Sequence, residues 1–121
     1  MKVLTKLKVI AVNGAETLEE HELDPEPSYT VLKALIEPHL DNNWLEHVNV
    51  WDDFGTGKMR ALDMFVDENG LIKGLPRNDK ATVIYRRANL LGKSAVPPVK
   101  NPEMLNCIVG PAVLFNRRVW F

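Results

Sequence analysis

A two-residue turn near the middle of the chain, Asn69-Gly70, constrains the fold more than any other feature of the sequence. It separates the apolar run 59–66 from the short run 71–73, which Gly74 then stops. Asn-Gly between two apolar runs is typical of a β-hairpin, because both central residues of a type I′ turn need a positive φ. The sequence therefore predicts two antiparallel strands joined at this turn.

A helix is predicted directly after this hairpin, over residues 79–91. Asn78 or Asp79 can cap its first turn, and Gly92 is a typical helix stop. Apolar residues recur at helical spacing between these two ends. Residues 82–85 are also β-prone, so a strand over 82–91 remains the alternative.

The first forty residues predict a β-hairpin followed by a helix. Apolar residues alternate with lysines up to an Asn13-Gly14 turn, and the glutamate-rich return strand 17–23 is predicted to lie at a sheet edge. Ser28 is predicted to cap a short helix that Pro38 and the Asp41-Asn42-Asn43 cluster end. The apolar face of that helix is predicted to consist of Val31, Leu32, Leu35 and Ile36.

Further strands are predicted from Leu45 onward and over the C-terminal apolar run 105–115, so the element order is β-β-α-β-β-β-α-β. This order predicts a single α+β domain over residues 1–121, with two helices on a mostly antiparallel sheet. A chain of 121 residues is long enough for one sizeable core and too short for two. Three prolines between positions 93 and 103 predict an exposed loop there.

The charge and the cysteine content restrict the cellular location and the partners. The formal net charge is −1, which argues against nucleic acid as a partner. Cys107 is the only cysteine, which fits a reducing compartment. Lysines interrupt the apolar residues of the first ten positions, so neither a signal peptide nor a membrane span is predicted. We therefore expect a cytoplasmic protein without membrane association.

The segment 54–59 invites comparison with a phosphate-binding P-loop but fails the pattern at two positions. Asp52 stands where the motif needs glycine, and Met59 stands where it needs serine or threonine. Nucleotide hydrolysis is therefore not predicted.

The acidic residues and histidines also suggest no reaction centre. We interpret four aspartates as solvated turn carboxylates: Asp52, Asp53, Asp63 and Asp67. Three histidines fall in separate elements without metal-ligand spacing: His21, His39 and His47. The sequence thus predicts no catalytic residue, no metal site, no cofactor and no enzymatic activity.

Cationic and aromatic residues around the central hairpins are the better binding candidates. An indole face can stack on a base, and a guanidinium group can pair with phosphate. The predicted ligand-binding residues are Trp44, Trp51, Lys58, Arg60, Arg77 and Arg86. The alternative is that these are partly buried tryptophans and solvated cations.

The segment Gly74-Leu75-Pro76-Arg77-Asn78, followed by Ala81, resembles a motif in a family of small phage- and plasmid-encoded proteins of unknown function. A C-terminal Ile-x-Gly apolar run, here residues 108–114, is similar to the ending of those proteins. The resemblance covers most of the chain, although the loop 93–103 and the Arg-Arg-Val-Trp-Phe tail depart from it. It implies no catalytic residues, and it implies a role in a mobile genetic element inside a host cell.

This resemblance leads to three functional hypotheses. The first is a non-catalytic antagonist of host defence that sequesters a nucleotide-derived signal. The alternative is an inhibitor that masks a host defence protein, with Trp51 and the Phe54 loop as its anchor. The third is a weak nucleic-acid-binding accessory protein. A homodimer is also predicted, because the tail residues Trp120 and Phe121 need cover. Packing of this tail on its own core is the alternative.

Overall fold

Five strands form one antiparallel sheet in the computed structural model, which describes residues 1–40, 45–67, 73–92 and 107–121. The elements are β1 Val3–Ile10, β2 Glu16–Leu23, α1 Tyr29–Leu40, β3 Leu45–Asp52, β4 Arg60–Asp67, α2 Asp79–Leu90 and β5 Ala112–Phe115. The strand order across the sheet is β2-β1-β5-β4-β3. The predicted α+β class and order of elements are confirmed. Three predicted features lie outside the described residues: the Asn69-Gly70 turn, most of the strand 71–73 and the whole loop 93–103.

The sheet lies between the two helices, so the protein has three layers and two apolar clusters. The strand register places Val48, Met64 and Leu114 side by side on the face that α2 covers. Their strand neighbours His47, Phe65 and Val113 point to the opposite face, which α1 covers. Because successive strand residues alternate between faces, these strands contribute to both clusters.

A five-residue connection closes the hairpin between β1 and β2 at the predicted Asn13-Gly14 site. The Gly14 N–H donates to Ala11 O at 2.9 Å, and the Ala11 N–H donates to Ala15 O at 2.8 Å. The Asn13 side chain accepts a hydrogen bond from the Ala15 N–H. Gly14 has a φ of 90°, which suits a type I turn that is followed by a bulge. β2 then lies at the sheet edge, as predicted.

Helix α1 begins where predicted and ends at Leu40, directly before the predicted Asp41-Asn42-Asn43 cluster. The Ser28 hydroxyl accepts the Val31 N–H at 3.2 Å, so Ser28 is the cap. Pro38 lies inside the helix rather than at its end. Burial of Leu40 beyond the proline contributes about 2 kcal/mol, which keeps the last turn helical despite the hydrogen bond that Pro38 cannot donate. Val31 is exposed, so its assignment to the apolar face was wrong.

Residues 79–90 form a helix, which decides between the two alternatives for this segment. Asn78 is its cap: the side-chain oxygen accepts the Ala81 N–H at 3.1 Å. The Asn78 side-chain amide is fully buried and donates to Ile10 O at 2.9 Å and to Gly110 O at 3.0 Å. The Asn78 backbone N–H donates to Ile108 O at 2.8 Å. One asparagine therefore joins α2, the end of β1 and the segment before β5.

The C-terminal tail packs largely on the domain's own core. Val119 is fully buried, and Trp120 packs against the cluster under α1. Phe121 is 70% exposed. This packing of Val119 and Trp120 matches the alternative prediction, in which the tail covers its own core. Only the exposed Phe121 side chain still supports the predicted homodimer.

Neither α1 nor α2 has the length and apolar character needed to cross a membrane, and no other helix occurs in the described ranges.

We expect Asn78→Asp to lower the free energy of unfolding by at least about 2 kcal/mol, measured by urea denaturation. The aspartate keeps the capping oxygen but cannot donate to the buried Ile10 and Gly110 carbonyls, and each orphaned group costs about 1–3 kcal/mol. Asn13→Asp is the matched control. Asn13 is exposed and only accepts in its turn, so this change should stay within about 0.5 kcal/mol. Equal effects of the two variants would contradict the role assigned to Asn78.

Candidate functional site

The structure places the predicted binding residues on several elements, and several of them make contacts within the fold. Arg60 donates from Nε and Nη2 to Asn116 O at 3.1 and 2.9 Å, which ties β4 to the segment after β5. Arg77 is exposed and pairs with Asp79 at 2.9 Å. Trp51 packs against the core cluster under α2.

The other three predicted residues differ in exposure. Lys58 is exposed in the β3–β4 loop, and Arg86 is half-buried on α2. Trp44 lies outside the described residues. The predicted set is therefore spread over β3, β4, their loop and the α2 region.

Three of the four aspartates interpreted as solvated are buried, so that interpretation was wrong for Asp52, Asp63 and Asp67. Each has a charged or ionisable partner. Arg87 pairs with Asp52, His47 contacts Asp63 at 2.7 Å, and Lys73 contacts Asp67 at 2.8 Å. Burial of a carboxylate is costly without such partners, which explains the pairing.

Asp63 holds the C-terminal tail against the sheet. Its Oδ2 accepts the Val119 N–H at 2.7 Å and the Trp120 N–H at 2.9 Å, while its Oδ1 contacts His47 Nε2. The Trp120 ring stacks on the His47 ring with 5.3 Å between centroids. Burial opposes ionisation of Asp63, but these hydrogen bonds outweigh burial and hold the pKa of the carboxyl below its ordinary value. The His47–Asp63 pair thus fixes the tail in place.

A second carboxylate lies between two histidines. Glu19 contacts His21 Nε2 at 3.0 Å and His39 Nε2 at 2.7 Å, and this links the edge strand β2 to α1. The hydrogen bond with His21 is the largest cause that lowers the pKa of Glu19. Within the described ranges, no group of three histidine, cysteine or acidic residues is placed to hold a metal ion.

An open cleft of about 490 Å³ lies where the first turns of α2 meet the β1–β2 hairpin and the β3–β4 loop. Its lining combines two lysines, four carboxylates and an apolar wall. The described lining residues are Lys8, Glu16, Asp52, Asp53, Gly55, Asp79, Lys80, Val83 and Ile84. The predicted binding residues are not among them. Two of the carboxylates pair with arginines outside the lining, Asp52 with Arg87 and Asp79 with Arg77, so the charges around the cleft are close to balanced.

The Phe54 loop forms one wall of this cleft, but Phe54 itself is not available as an anchor. Its side chain is buried in the cluster under α2, beneath the Lys8 ammonium group, which lies 4.5 Å from the ring centroid. The Phe54 N–H donates to buried Asp52 at 3.0 Å, and the backbone φ is 53°. The loop thus turns this ring inward, and the use of Trp51 and the Phe54 loop as an anchor stays a prediction.

Sequence reasoning missed the cleft because its residues come from four separate parts of the chain. Only one local signal was present: Asp79 and Val83 are four residues apart on a predicted helix, and so they share one side of it. Asp53 lies beside that helix only because of the order of the strands in the sheet, which the sequence alone did not reveal.

We expect Asp63→Asn to destabilise the protein by at least about 2 kcal/mol at pH 7, measured by urea denaturation, because an amide cannot accept from both tail N–H groups and His47. The folded pKa of Asp63 lies below the unfolded value of about 3.9. The contribution of the ionised group is therefore complete above about pH 4 and is lost as the pH falls through the folded pKa.

The difference between wild type and Asp63→Asn should accordingly shrink below about pH 4. Asp24→Asn, which removes an exposed ion pair with Lys2, is the control and should stay within about 0.5 kcal/mol. A difference that stays constant from pH 7 to about pH 2.5 would contradict the assignment of this stability to the ionised carboxylate.

Comparison with known proteins gave no match: no family model, no curated protein and no solved structure is similar to this chain. The resemblance to phage- and plasmid-encoded proteins stays a prediction, and the functional argument depends on the site.

Proposed function

We propose that this chain is a non-catalytic binding protein of a mobile genetic element that masks a host defence protein. The supporting observation is the outer side of α2. Val83 is 59% exposed and Leu90 is 52% exposed, and a spacing of seven residues places them on the same side of the helix. Arg86 lies between them at the same helical spacing. We call Val83, Arg86 and Leu90 the α2 surface.

The chemistry of the α2 surface suits a protein partner. Exposed apolar side chains on one side of a helix are typical of interaction sites, and arginine is enriched among the residues that dominate interface energies. Burial of Val83 and Leu90 under a partner would each contribute about 1–2 kcal/mol. Two such contacts correspond to a difference of about tenfold or more in affinity.

A nucleotide-derived signal is less well supported than a protein. In the cleft its phosphates would compete with Glu16 for both lysines. The same competition, together with the net charge of −1, weakens the nucleic-acid hypothesis. Sequestration of a signal remains the second hypothesis, with Arg77 as its exposed cation.

The cellular context rests on the sequence resemblance. A phage or plasmid origin would place the protein in the host-cell cytoplasm, where a small antagonist meets defence proteins. Association of two copies, the predicted homodimer, is compatible with masking.

The α2 surface is tested by the double change Val83→Ser and Leu90→Ser. The matched control is Leu4→Ser with Leu18→Ser, because those leucines are 54% and 59% exposed on the β1–β2 hairpin. Tagged proteins are expressed in the host, and co-purified proteins are quantified by mass spectrometry. We expect a partner that binds wild type and the control and falls at least about tenfold with the α2 variant. Equal loss with both variants would contradict masking through α2.

Nucleotide sequestration is tested separately by thermal shift with cyclic dinucleotides and ADP-ribose derivatives. We expect no change in melting temperature. A ligand bound at about a hundred times its dissociation constant would stabilise the fold by about 2.7 kcal/mol. Such a shift, if Arg77→Ala abolished it, would overturn masking in favour of sequestration.

A further inference from the structure

We infer that the turn between β1 and β2 is a site of spontaneous modification, at which the folded chain converts Asn13 into isoaspartate with the help of Lys80. Asn13 is exposed, and Gly14 follows it without a side chain that could shield the backbone nitrogen. Water is the co-reactant, and ammonia is released. The modification needs no partner protein, so its failure and the failure of masking are separate results.

The reaction has two steps. The Gly14 backbone nitrogen loses its proton and forms a bond to Asn13 Cγ, while the Cγ–Nδ2 bond breaks and the side-chain nitrogen takes up a proton and leaves as ammonia. The product is a five-membered succinimide ring. Water then breaks one of the two C–N bonds to the ring nitrogen. Cleavage at Cγ gives aspartate, whereas cleavage at the backbone carbonyl carbon gives isoaspartate, and neither route oxidises or reduces the chain.

A hydrogen bond within the turn prepares the Asn13 side chain for attack. The Ala15 N–H donates to Asn13 Oδ1 at 2.9 Å, which holds the side-chain amide against the backbone that follows it. Negative charge develops on Oδ1 as the nitrogen attacks Cγ. A donor that is already in place stabilises this charge, so the turn carries a simple form of an oxyanion-stabilising contact.

The ammonium group of Lys80 favours the other reactant, the deprotonated Gly14 nitrogen. Lys80 Nζ donates to Gly14 O at 2.6 Å, and a nearby positive charge favours the anionic form of a neighbouring group. Glu16 lies 3.5 Å from the same ammonium group and offsets part of its charge. Because Lys80 belongs to the first turn of α2, this assistance exists only in the folded chain.

One contact of the turn opposes the reaction. The Gly14 N–H donates to Ala11 O at 2.9 Å, and this hydrogen bond must open before the nitrogen can lose its proton. The net contribution of one such hydrogen bond corresponds to a factor of about ten at most. We therefore expect the folded chain to react at a rate within about tenfold of the unfolded chain.

Isoaspartate changes both the length and the charge of the turn. It adds one carbon atom to the backbone between Ala11 and Ala15, whose hydrogen bonds close the hairpin. It also leaves a carboxylate close to Lys80, which then competes with Gly14 O and Glu16 for the ammonium group. The modification therefore loosens the contact between the hairpin and the start of α2.

The rate is measured by incubating the full chain in mildly alkaline buffer, once folded and once in urea. Isoaspartate is quantified with an isoaspartyl methyltransferase and a labelled methyl donor, and it is located by mass spectrometry of proteolytic peptides. We expect the folded rate at residue 13 to lie within about tenfold of the rate in urea. A folded rate lower than this would overturn the inference. Asn13→Gln should abolish the signal in this peptide, because the longer side chain closes its ring far more slowly.

The second Asn-Gly pair of the sequence, residues 69–70, yields a different peptide and does not enter this comparison.

The role of Lys80 is tested by Lys80→Gln. We expect the folded rate at residue 13 to fall at least about threefold and the rate in urea to stay unchanged. The matched control is Lys2→Gln, because Lys2 pairs with Asp24 at the other end of the hairpin, and it should leave both rates unchanged. Equal folded rates in the two variants, or faster modification of Lys80→Gln, would overturn the inference that Lys80 assists the reaction.

Discussion

The side-chain amide of Asn78 makes the contacts that bring distant parts of this chain together. Its oxygen caps α2, and its nitrogen donates to carbonyl groups of Ile10 and Gly110, which are 68 and 32 residues away in sequence. All of these groups are remote from solvent, where an unpaired donor or acceptor costs more than a formed hydrogen bond contributes. Helix α2 is therefore held at one end by directional polar contacts and along its length by apolar packing of Ala81 and Ala88.

The same contacts determine the geometry of the cleft. Asp79, Lys80 and Val83 lie in the first turns of α2, directly after its cap Asn78. The contacts of Asn78 therefore fix where these three residues lie relative to the sheet. The opposite wall comes from the β1–β2 hairpin, to which Lys80 is joined through Gly14 O. Thr82 adds a second link, because its hydroxyl accepts the Ile108 N–H at 2.9 Å. A shift of the helix start would move every α2 residue that lines the cleft. The geometry of this wall therefore depends on the buried hydrogen bonds that fix the helix start.

The local features of this fold could be predicted from sequence, and the pairings between distant residues could not. Ser28 and Asn78 were recognisable as caps because their chemistry acts within one turn, and glutamates marked β2 as an edge strand. The buried state of Asp63 was not recognisable. It depends on His47 sixteen residues before it and on Val119 fifty-six residues after it. No local pattern encodes a separation of that kind, so aspartate was assigned its usual exposed state.

In the candidate site, too, the properties of single residues could be predicted, whereas the contacts between distant residues could not. Arg77 and Lys58 are exposed cations, but charge alone did not say which charges share a cavity. The lysines of the cleft are held by Glu16, whereas the arginines on which a nucleotide site would depend do not line it. A fold that used Lys80 to bind phosphate would have to give up its link to the Gly14 carbonyl and leave Glu16 with less compensation. The contacts that position α2 therefore also argue against an anionic nucleotide in this cleft.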